Sequence, residues 1–448
     1  MQGFSQAEGI DYNETFSPTA KLSAIQIIAA IAVRNDWEIE QTDIDGTYLN
    51  APITKTVYMR QLKGYETPGR EHHVCRLNWV IYSLKQLGKE WYDMLCGLMH
   101  RFGFTCCEAK HAVFHKYDDN DTLIVAVDVD DLTMAGNTKN TIHKFKDKLC
   151  TVLKLKDLGD LHWLLGIEVK RDCKLCMISF LQHAYIQKII EKFGLQDAHP
   201  LSMPLDPHHK LSQSQSPSTA HQFNDMCNVP YREAIGSLMY AALGTRPDIS
   251  FAVSFLAQFM QNPGRPHWEA LKCVFRYLKG TKDLKLVIGG LQGGLEPFSD
   301  ADWASQEHQH SISRYVFTID GGAVSWSSKK QPIMALSMTE AKYIAATQAM
   351  KEALWICTFL GEIARPLLKP ITIHLDNISA ISITKNDEYH PHMKHINIRY
   401  HFIHRAICKG LIHVDYVPTD DMATDIFTKA LPWHKVTHLN MMIGLYSA

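Results

Sequence analysis

Three aspartates in two strand-like contexts constrain this chain more than any other feature. Asp43 lies in QTDIDGTYLN, where apolar and polar residues alternate before it, and Asp130-Asp131 follows an apolar run in IVAVDVDDLTMAG. A period of two and a short apolar run both predict β-strands. We therefore expect Asp43 on one strand and the adjacent pair at the tip of a hairpin.

Two adjacent carboxylates with a third on another strand suit a two-metal phosphoryl-transfer site. Such sites hold two Mg²⁺ ions about 3.5–4 Å apart through anionic oxygens. Asp-Asp is also common in hairpin turns, where the side chains cap backbone groups. The pair alone leaves both interpretations open.

Length and composition limit the class of protein that carries this site. The 448 residues and 51.0 kDa predict two or three domains, each with its own core. A net charge of −1 gives no overall support for nucleic-acid binding, so any basic groove must be local. The eleven cysteines show no paired framework, and Cys173 and Cys176 are expected in a hairpin turn rather than a zinc site. With no signal peptide and no membrane span in the sequence, we expect an intracellular protein.

The first part of the chain mixes helix and strand patterns in an α+β manner. A helical stripe begins at Leu22, with a predicted capping box from Ser23 to Gln26. Strands are predicted at Leu164–Val169 and Met177–Leu181, and a helix near Tyr185–Phe193.

The second part begins with a Ser-, Gln- and Pro-rich stretch at 202–225, which is predicted to be a linker or a long loop. Helices are predicted at about 231–243, 247–260 and 266–278. The glycine-rich residues 289–294 predict a hinge, and a separate α/β domain is expected from Glu296 onward.

This last domain carries a second set of acids. Asp300 ends a strand in PFSDADWA, Glu340 opens a helix in SMTEAKY, Asp376 ends the strand ITIHLD, and Asp425 lies in DMATDIF. Acids at strand ends of one α/β domain can converge on two metal ions and cleave a phosphodiester. Each also has a capping alternative, since Glu340 fits a capping box and Asp376 and Asp425 each precede a predicted helix.

These strings together resemble the Pol polyprotein of copia-type LTR retrotransposons. The resemblance rests on GFSQAEGIDYNETFSPTAKL, QTDIDGTYLN, IYSLKQLGKEWY, VDVDDLTMAG, LKDLGDLHWLLGIEV, YREAIGSLMYAALGTRPDISFAV, SDADWA, VSWSSKKQPIMALSMTEAKY, KHINIRYHFI and DIFTKAL. It implies an α+β palm-type polymerase domain with truncated fingers at 1–205 and a linker at 206–230. A helical thumb or connection at 231–290 and an α/β ribonuclease H-like domain at 291–448 follow.

The resemblance assigns roles to the first set of residues. It implies that Asp43, Asp130 and Asp131 are the polymerase metal ligands. Tyr48 matches the aromatic steric gate that disfavours a 2′-hydroxyl, with a core aromatic as the alternative. Gln86 matches the nucleotide-contacting glutamine, although the sequence alone indicates only an ordinary surface residue.

In the last domain, Asp300, Glu340, Asp376 and Asp425 match the ribonuclease H ligands, and Asp302 is expected to be a neighbour. A histidine-rich run has no standard zinc spacing, so its members are expected at the surface or facing nucleic acid. The run comprises His390, His392, His395, His401 and His404.

Cofactors and partners follow from the same resemblance. It implies two Mg²⁺ ions in each site, with Mn²⁺ as a substitute. The implied partners are an RNA template, a DNA primer, dNTPs and an RNA–DNA hybrid, with other Pol products such as integrase and no membrane. The implied location is a cytoplasmic virus-like particle or the nucleus.

The chain departs from the family pattern at several positions. Asp128 replaces the usual Tyr before the Asp pair, and the strand period places it on the same face as Asp130. Ser83 replaces a Gly, Arg314 replaces a Gly, and Lys342 replaces a second Glu near Glu340.

The chain begins within the first family segment, so the finger strands with their triphosphate-binding cations are expected to be missing. These departures predict weak or no polymerase activity. The leading hypothesis implied by the resemblance is an RNA-directed DNA polymerase with a ribonuclease H domain that hydrolyses RNA in RNA–DNA hybrids. The competing hypothesis is a catalytically weak or inactive, truncated retroelement remnant that only binds nucleic acid. An unrelated metal-dependent hydrolase explains the acids but not the order of the motifs.

Overall fold

The computed structural model describes residues 3–118, 121–206, 211–290, 293–303, 310–364, 370–385, 397–427, 431 and 433–447. The chain divides into two compact units, Met1–Leu161 with Glu362–Arg365 and His162–Gly361 with Pro366–Ala448. Within the described ranges, no helix is long and apolar enough to span a membrane.

The first unit is an antiparallel sheet covered by helices. Its elements are α1 (Leu22–Arg34), β1 (Glu38–Ile44), β2 (Tyr58–Arg60), β3 (Val74–Arg76), α2 (Leu87–Arg101), β4 (Thr105–Cys106), β5 (Val113–Tyr117), β6 (Thr122–Asp128), β7 (Asp131–Gly136), α3 (Lys139–Cys150) and β8 (Leu155–Asp160). Six strands follow the order β4-β5-β6-β7-β1-β8, and β2 pairs with β3. The strand containing Asp43 and the hairpin of the Asp pair are therefore confirmed.

The apolar run before the Asp pair is buried on both faces of the sheet. Leu123, Val125 and Val127 on β6 join the core formed with α2 and α3, whereas Ile124 is fully buried on the opposite face. A strand covered on both sides has no solvent face, so its sequence is continuously apolar. The Asp pair thus projects from a rigid base.

Helix α1 is buried from Ala24 to Val33 and packs on β1 and β7. The predicted capping box at Ser23 is wrong. The helix begins at Leu22, its N-cap is Lys21 without a side-chain cap, and Gln26 is buried. Tertiary burial, rather than a polar cap, holds this helix end.

The second unit contains two sheets with flanking helices. Its elements are β9 (Trp163–Leu164), β10 (Ile167–Asp172), β11 (Met177–Leu181), α4 (His183–Lys192), α5 (Ala220–Met226), α6 (Tyr231–Gly244), α7 (Ser250–Ala257), α8 (Arg265–Gly280), β12 (Leu284–Gly289), β13 (Leu295–Asp302), β14 (Ile312–Ile319), β15 (Gly322–Lys330), α9 (Met338–Ile363), β16 (Ile371–Leu375), α10 (Ile378–Lys385), α11 (Asn397–Cys408), β17 (Ile412–Tyr416), α12 (Trp433–Met442) and β18 (Leu445–Ser447). One sheet has the order β18-β12-β11-β10-β9 and the other β15-β14-β13-β16-β17.

The second of these sheets is mixed. β13, β14 and β15 pair antiparallel, whereas β16 runs parallel to both β13 and β17. The long helix α9 buries its alanine-rich stripe, including Ala345, Ala349 and Ala353. The carboxyl ends of β13 and β16 lie at the same edge of this sheet.

Three sequence expectations differ from the structure. The predicted strand Leu164–Val169 is broken because Leu165 and Gly166 both have positive φ and form a tight turn between β9 and β10. The predicted linker 206–230 contains α5, which Thr219 caps. Strand β12 pairs with β11 and with the C-terminal β18, so the compact units do not divide at residues 205 or 290.

Candidate active sites

The first site lies where β1 meets the β6–β7 hairpin. Asp43 and Asp131 are directly opposite each other in the antiparallel register of β1 and β7. Residues opposite each other in a sheet project to the same face, so these two carboxylates are neighbours. Asp130 is exposed in the two-residue turn between Asp128 and Asp131. The structure therefore brings the three sequence-predicted acids together.

The turn is strained and is held from two sides. Val129 has φ 61°, a conformation that a β-branched residue rarely adopts. Trp91 Nε1 on α2 donates to the Val129 carbonyl at 3.0 Å, and the Ile44 amide donates to the Asp130 carbonyl at 3.0 Å. These two hydrogen bonds fix the position of Asp130.

Like charges dominate the electrostatics of this site. Burial, followed by the charges of Asp130 and Asp43, raises the pKa of Asp131. Gln41 Nε2 donates to Asp131 Oδ1 at 3.2 Å and opposes that shift. The charged groups with the largest effect on Asp131 are carboxylates, namely those of Asp130, Asp43 and Asp128.

Asp128, the departure from the family pattern, belongs to the same group. Burial and the charge of Asp130 raise the pKa of Asp128, whereas Lys110 lowers it. Lys110 is half-buried, and burial together with the charge of Lys21 lowers the pKa of Lys110. Two lysines that the sequence did not single out therefore lie on the Asp128 side of the site.

Tyr48 and Gln86 have different environments. Tyr48 lies in the 3₁₀ helix Thr47–Asn50, and burial, then Asp130, raises the pKa of its hydroxyl. Its ring meets Tyr82 edge-on at 5.7 Å between centroids. Gln86 is buried rather than at the surface: its Oε1 accepts from Gln6 Nε2 at 3.1 Å, and its Nε2 donates to the Asp11 carbonyl at 3.3 Å.

The donor chemistry of the first site fits a divalent cation. As they stand, no three His, Cys, Asp or Glu side chains in the described part of the chain converge closely enough to form a metal centre. Asp43, Asp130 and Asp131 nevertheless supply the oxygen ligands that Mg²⁺ prefers. Their mutual repulsion leaves negative charge that a dication would neutralise.

The second site lies at the carboxyl edge of β13 and β16. Phe298 is opposite His374 in this parallel pair, so Asp300 and Asp376 follow at equivalent positions. Asp300 is buried on β13, and Asp376 directly follows β16. The structure confirms that these two acids are neighbours.

Two basic side chains contact these acids. Lys342 Nζ is 3.0 Å from Asp300 Oδ1 and 2.5 Å from Asp376 Oδ1. Arg314 Nη1 is 2.9 Å from Asp300 Oδ2, and Arg314 Nη2 is 3.6 Å from Asp302 Oδ2. Both carboxylate oxygens of Asp300 are therefore paired with a cation of the same chain.

The two cations are strongly affected by this environment. Burial disfavours the Lys342 ammonium, but Asp300 and Asp376 outweigh burial and raise the pKa of Lys342. Burial lowers the pKa of Arg314 to about 10, against the opposing charges of Asp300, Asp302, Asp425 and Asp376. Both groups are protonated at neutral pH.

The alternative role of helix capping holds for one of these acids and not for another. Glu340 does cap α9, because Glu340 Oε2 accepts from the Leu336 amide at 2.8 Å and Ser337 Oγ accepts from the Glu340 amide at 3.2 Å. Asp376 is not the cap of α10, since Asn377 Oδ1 accepts from the Ala380 amide at 2.7 Å. Asp425 lies within the 3₁₀ helix Ala423–Phe427.

The second site does not fit a metal ion as it is arranged. Mg²⁺ binds oxygens at about 2.0–2.1 Å, and the ammonium of Lys342 occupies the space between the two central carboxylates. One signal in the sequence points to this, because Arg314 and Lys342 are departures from the family pattern. Neither the strand register that pairs Arg314 with Asp300 nor the packing that brings Lys342 on α9 to Asp300 and Asp376 is visible in the sequence. His390, His392 and His395 lie outside the described residues.

The comparisons with known proteins agree with the sequence motifs. The model of the reverse transcriptase (RNA-dependent DNA polymerase) family matches residues 1–207. The chain is 37% identical over its full length to the retrovirus-related Pol polyprotein from transposon TNT 1-94 of Nicotiana tabacum, covering 34% of that protein. It is 35% identical over 96% of its length to the corresponding polyprotein from transposon RE1 of Arabidopsis thaliana, covering 29% of it.

The chain thus spans about a third of the length of these curated relatives. Among solved structures, it is similar to a foamy viral protease-reverse transcriptase in complex with dsDNA. That similarity has 14% identity and a TM-score of 0.42, and it covers 85% of this chain and 68% of the other. From the family match and the Pol relatives, the chain belongs to the Pol polyproteins of copia-type retrotransposons and carries their reverse transcriptase domain.

Proposed function

We propose that the chain is an RNA-directed DNA polymerase whose active site is formed by Asp43, Asp130 and Asp131. The observation that carries the proposal is the cross-strand pairing of Asp43 with Asp131 beside the hairpin turn that presents Asp130. The pairing supports one concentrated negative site within the reverse transcriptase domain. Its substrates are a DNA primer on an RNA template and dNTPs.

In the proposed reaction, the primer 3′-hydroxyl attacks the α-phosphate of a dNTP, a new phosphodiester forms and pyrophosphate leaves. Bound by the three acids, Mg²⁺ or Mn²⁺ would supply Lewis-acid activation and charge neutralisation. Trp91 keeps the Asp130 turn in place, and Gln41 orients Asp131 through its hydrogen bond. Lys110, which lowers the pKa of Asp128, offsets part of the excess negative charge.

Tyr48 is proposed to select deoxyribonucleotides. It is half-buried, is braced edge-on by Tyr82, and lies close enough to Asp130 for that charge to raise the pKa of its hydroxyl. A ring there would clash with a 2′-hydroxyl on the incoming sugar. Tyr48→Val should increase ribonucleotide incorporation while Tyr48→Phe should not, and equal incorporation by both variants would exclude this role.

Gln86 is proposed to act on the nucleotide indirectly. Its two hydrogen bonds hold the segment containing Gln6 and Asp11 against the start of α2. A direct nucleotide contact would require those hydrogen bonds to be exchanged.

The test is primer extension on an RNA template with and without Mg²⁺. We expect metal-dependent extension that Asp130→Asn abolishes. The matched control is Asp45→Asn, because Asp45 is exposed at the end of the same β1 segment and pairs with Lys154. Extension without metal, or equal loss in both variants, would contradict the assignment.

The alternative function, nucleic-acid binding without catalysis, is favoured by one observation. Asp128 adds a fourth carboxylate beside the three acids, and its charge contributes to the raised pKa of Asp131. Tight primer–template binding without extension, in both the parent and Asp128→Tyr, would support that alternative.

A further inference from the structure

Asp300 and Asp376 of the second unit form close ion pairs with basic side chains of the same chain. Asp300 on β13 is directly opposite Arg314 on β14 in the antiparallel register. The Arg314 side chain is only 1% exposed and that of Asp300 only 7%. Because both are fixed on paired strands inside the protein, this ion pair is part of the fold and not a surface contact.

Lys342 completes the cluster from α9. Its ammonium bridges one oxygen of Asp300 and one of Asp376, at 3.0 and 2.5 Å. Its side chain is 11% exposed and that of Asp376 is 8% exposed. A cation that bridges two carboxylates occupies the place that a bridging dication would need.

The positions of the charged groups, rather than the total charge, decide whether this cluster can bind a metal ion. The four aspartates Asp300, Asp302, Asp376 and Asp425 outnumber the two cations. However, a metal ion needs carboxylate oxygens that are free of other cations. Asp300 Oδ2 already accepts a hydrogen bond from Arg314 Nη1 at 2.9 Å, and Asp300 Oδ1 lies 3.0 Å from the Lys342 ammonium. Displacing Lys342 would still leave the buried Arg314 on the second oxygen of Asp300.

We propose that Arg314 and Lys342 take the place of metal ions in this cluster, so that the second unit of this chain neither binds Mg²⁺ there nor hydrolyses RNA. The cluster then stabilises the carboxyl edge of β13 and β16 as a buried ion-pair network. The proposal rests on these contacts and does not depend on polymerase activity.

The experiment counts bound Mn²⁺ by electron paramagnetic resonance, using the full chain in an Asp130→Asn/Asp131→Asn background. That background silences the first site, so failure of the polymerase assignment cannot affect the result. We expect no Mn²⁺ site that depends on Asp376. Adding Arg314→Met and Lys342→Met removes both cations at nearly constant volume. This double-Met variant should bind Mn²⁺ in the second unit at least about tenfold more tightly than the background protein does.

Thermal unfolding supplies a second readout. The background protein should be insensitive to Mn²⁺ in this unit, whereas the double-Met variant should lose stability in EDTA and regain it with Mn²⁺. A Mn²⁺ ion bound in the background protein and lost on Asp376→Asn would overturn the proposal. So would a folded double-Met variant that binds no Mn²⁺. If the double-Met variant does not fold, the amount of Mn²⁺ bound by the background protein with and without Asp376→Asn tests the proposal by itself.

Cleavage of the RNA strand of an RNA–DNA hybrid gives an independent check. We expect none from the parent chain in Mg²⁺ or Mn²⁺. Cleavage that is abolished by Asp376→Asn would contradict the proposal.

Discussion

The two acidic clusters of this chain differ in what lies opposite their central aspartate. Across the strand pair from Asp43 is another acid, Asp131, whereas across from Asp300 is Arg314. Like charges directly opposite in a sheet are destabilising, and opposite charges are stabilising. The negative charge of the first cluster therefore favours a bound cation, whereas Arg314 and Lys342 of the same chain already pair with the acids of the second cluster.

The first cluster also lies in strained backbone. Val129, in the turn of the first cluster, has φ 61°, and Ser83, three residues before the buried Gln86, has φ 79°. Repulsion between like charges and strained backbone each cost stability. Both are therefore expected mainly where they serve a functional site. The second cluster has the pattern of a structural ion-pair network instead.

The largest contrast is expected in catalysis. Asp43→Asn removes a ligand oxygen from the first cluster and should lower Mg²⁺-dependent primer extension by about 100-fold or more. Asp376→Asn should leave extension within about twofold, since it changes only the second cluster. Single-turnover extension rates measure both. Equal losses would mean that the clusters are not functionally separate.

Stability should show the opposite contrast. Asp300→Asn removes the one carboxylate that contacts both buried cations, Arg314 and Lys342, and should destabilise the second unit by about 3–5 kcal/mol. Asp43→Asn relieves repulsion in the first unit and should cost nothing or be slightly stabilising. Hydrogen exchange of β13 and β14 compared with β1 and β7 separates the two units. Strong loosening of β1 and β7 in Asp43→Asn would be the contrary finding.

Strain at Ser83 can be tested by a smaller change. Ser83→Gly, which matches the residue usual in the family, should stabilise the first unit by about 0.5–1 kcal/mol, because glycine adopts positive φ freely. The matched control is Ser250→Gly, at φ −60° where α7 begins, which should be destabilising. Urea unfolding of each variant gives the sign. Destabilisation at both positions would show that Ser83 is not strained.

The smallest expected effect concerns pH. Burial and neighbouring carboxylates raise the pKa of Asp131, so its ionised, ligand form appears at higher pH than for an ordinary aspartate. Asp128→Asn removes one of those negative charges and lowers the pKa of Asp131. The acidic limb of the extension rate should therefore move to lower pH. A limb that moves to higher pH would reverse this assignment.

Much of the first site follows from local sequence pattern, and less of the second does. The strand of Asp43 and the hairpin of Asp130-Asp131 are local features, so alternation and an apolar run predict them. The capping box at Ser23 was wrong because burial of α1, not a polar cap, determines where that helix begins.

Long-range pairing explains what the sequence did not reveal. Nothing local indicates that β18 would pair with β12, or that Arg314 would lie opposite Asp300. Arg314 and Lys342 were visible only as departures from a family pattern. Their meaning came from the strand register and from ion-pair distances.

We propose that the first acidic cluster binds metal ions and that Arg314 and Lys342 occupy the place of metal ions in the second. The most direct test is anomalous diffraction from crystals of the chain with a DNA primer on an RNA template, grown in Mn²⁺. We predict manganese peaks at Asp43, Asp130 and Asp131, and Lys342 still bridging Asp300 and Asp376 with no peak between them. A manganese peak at Asp300 and Asp376, with the Lys342 ammonium displaced, would contradict the account.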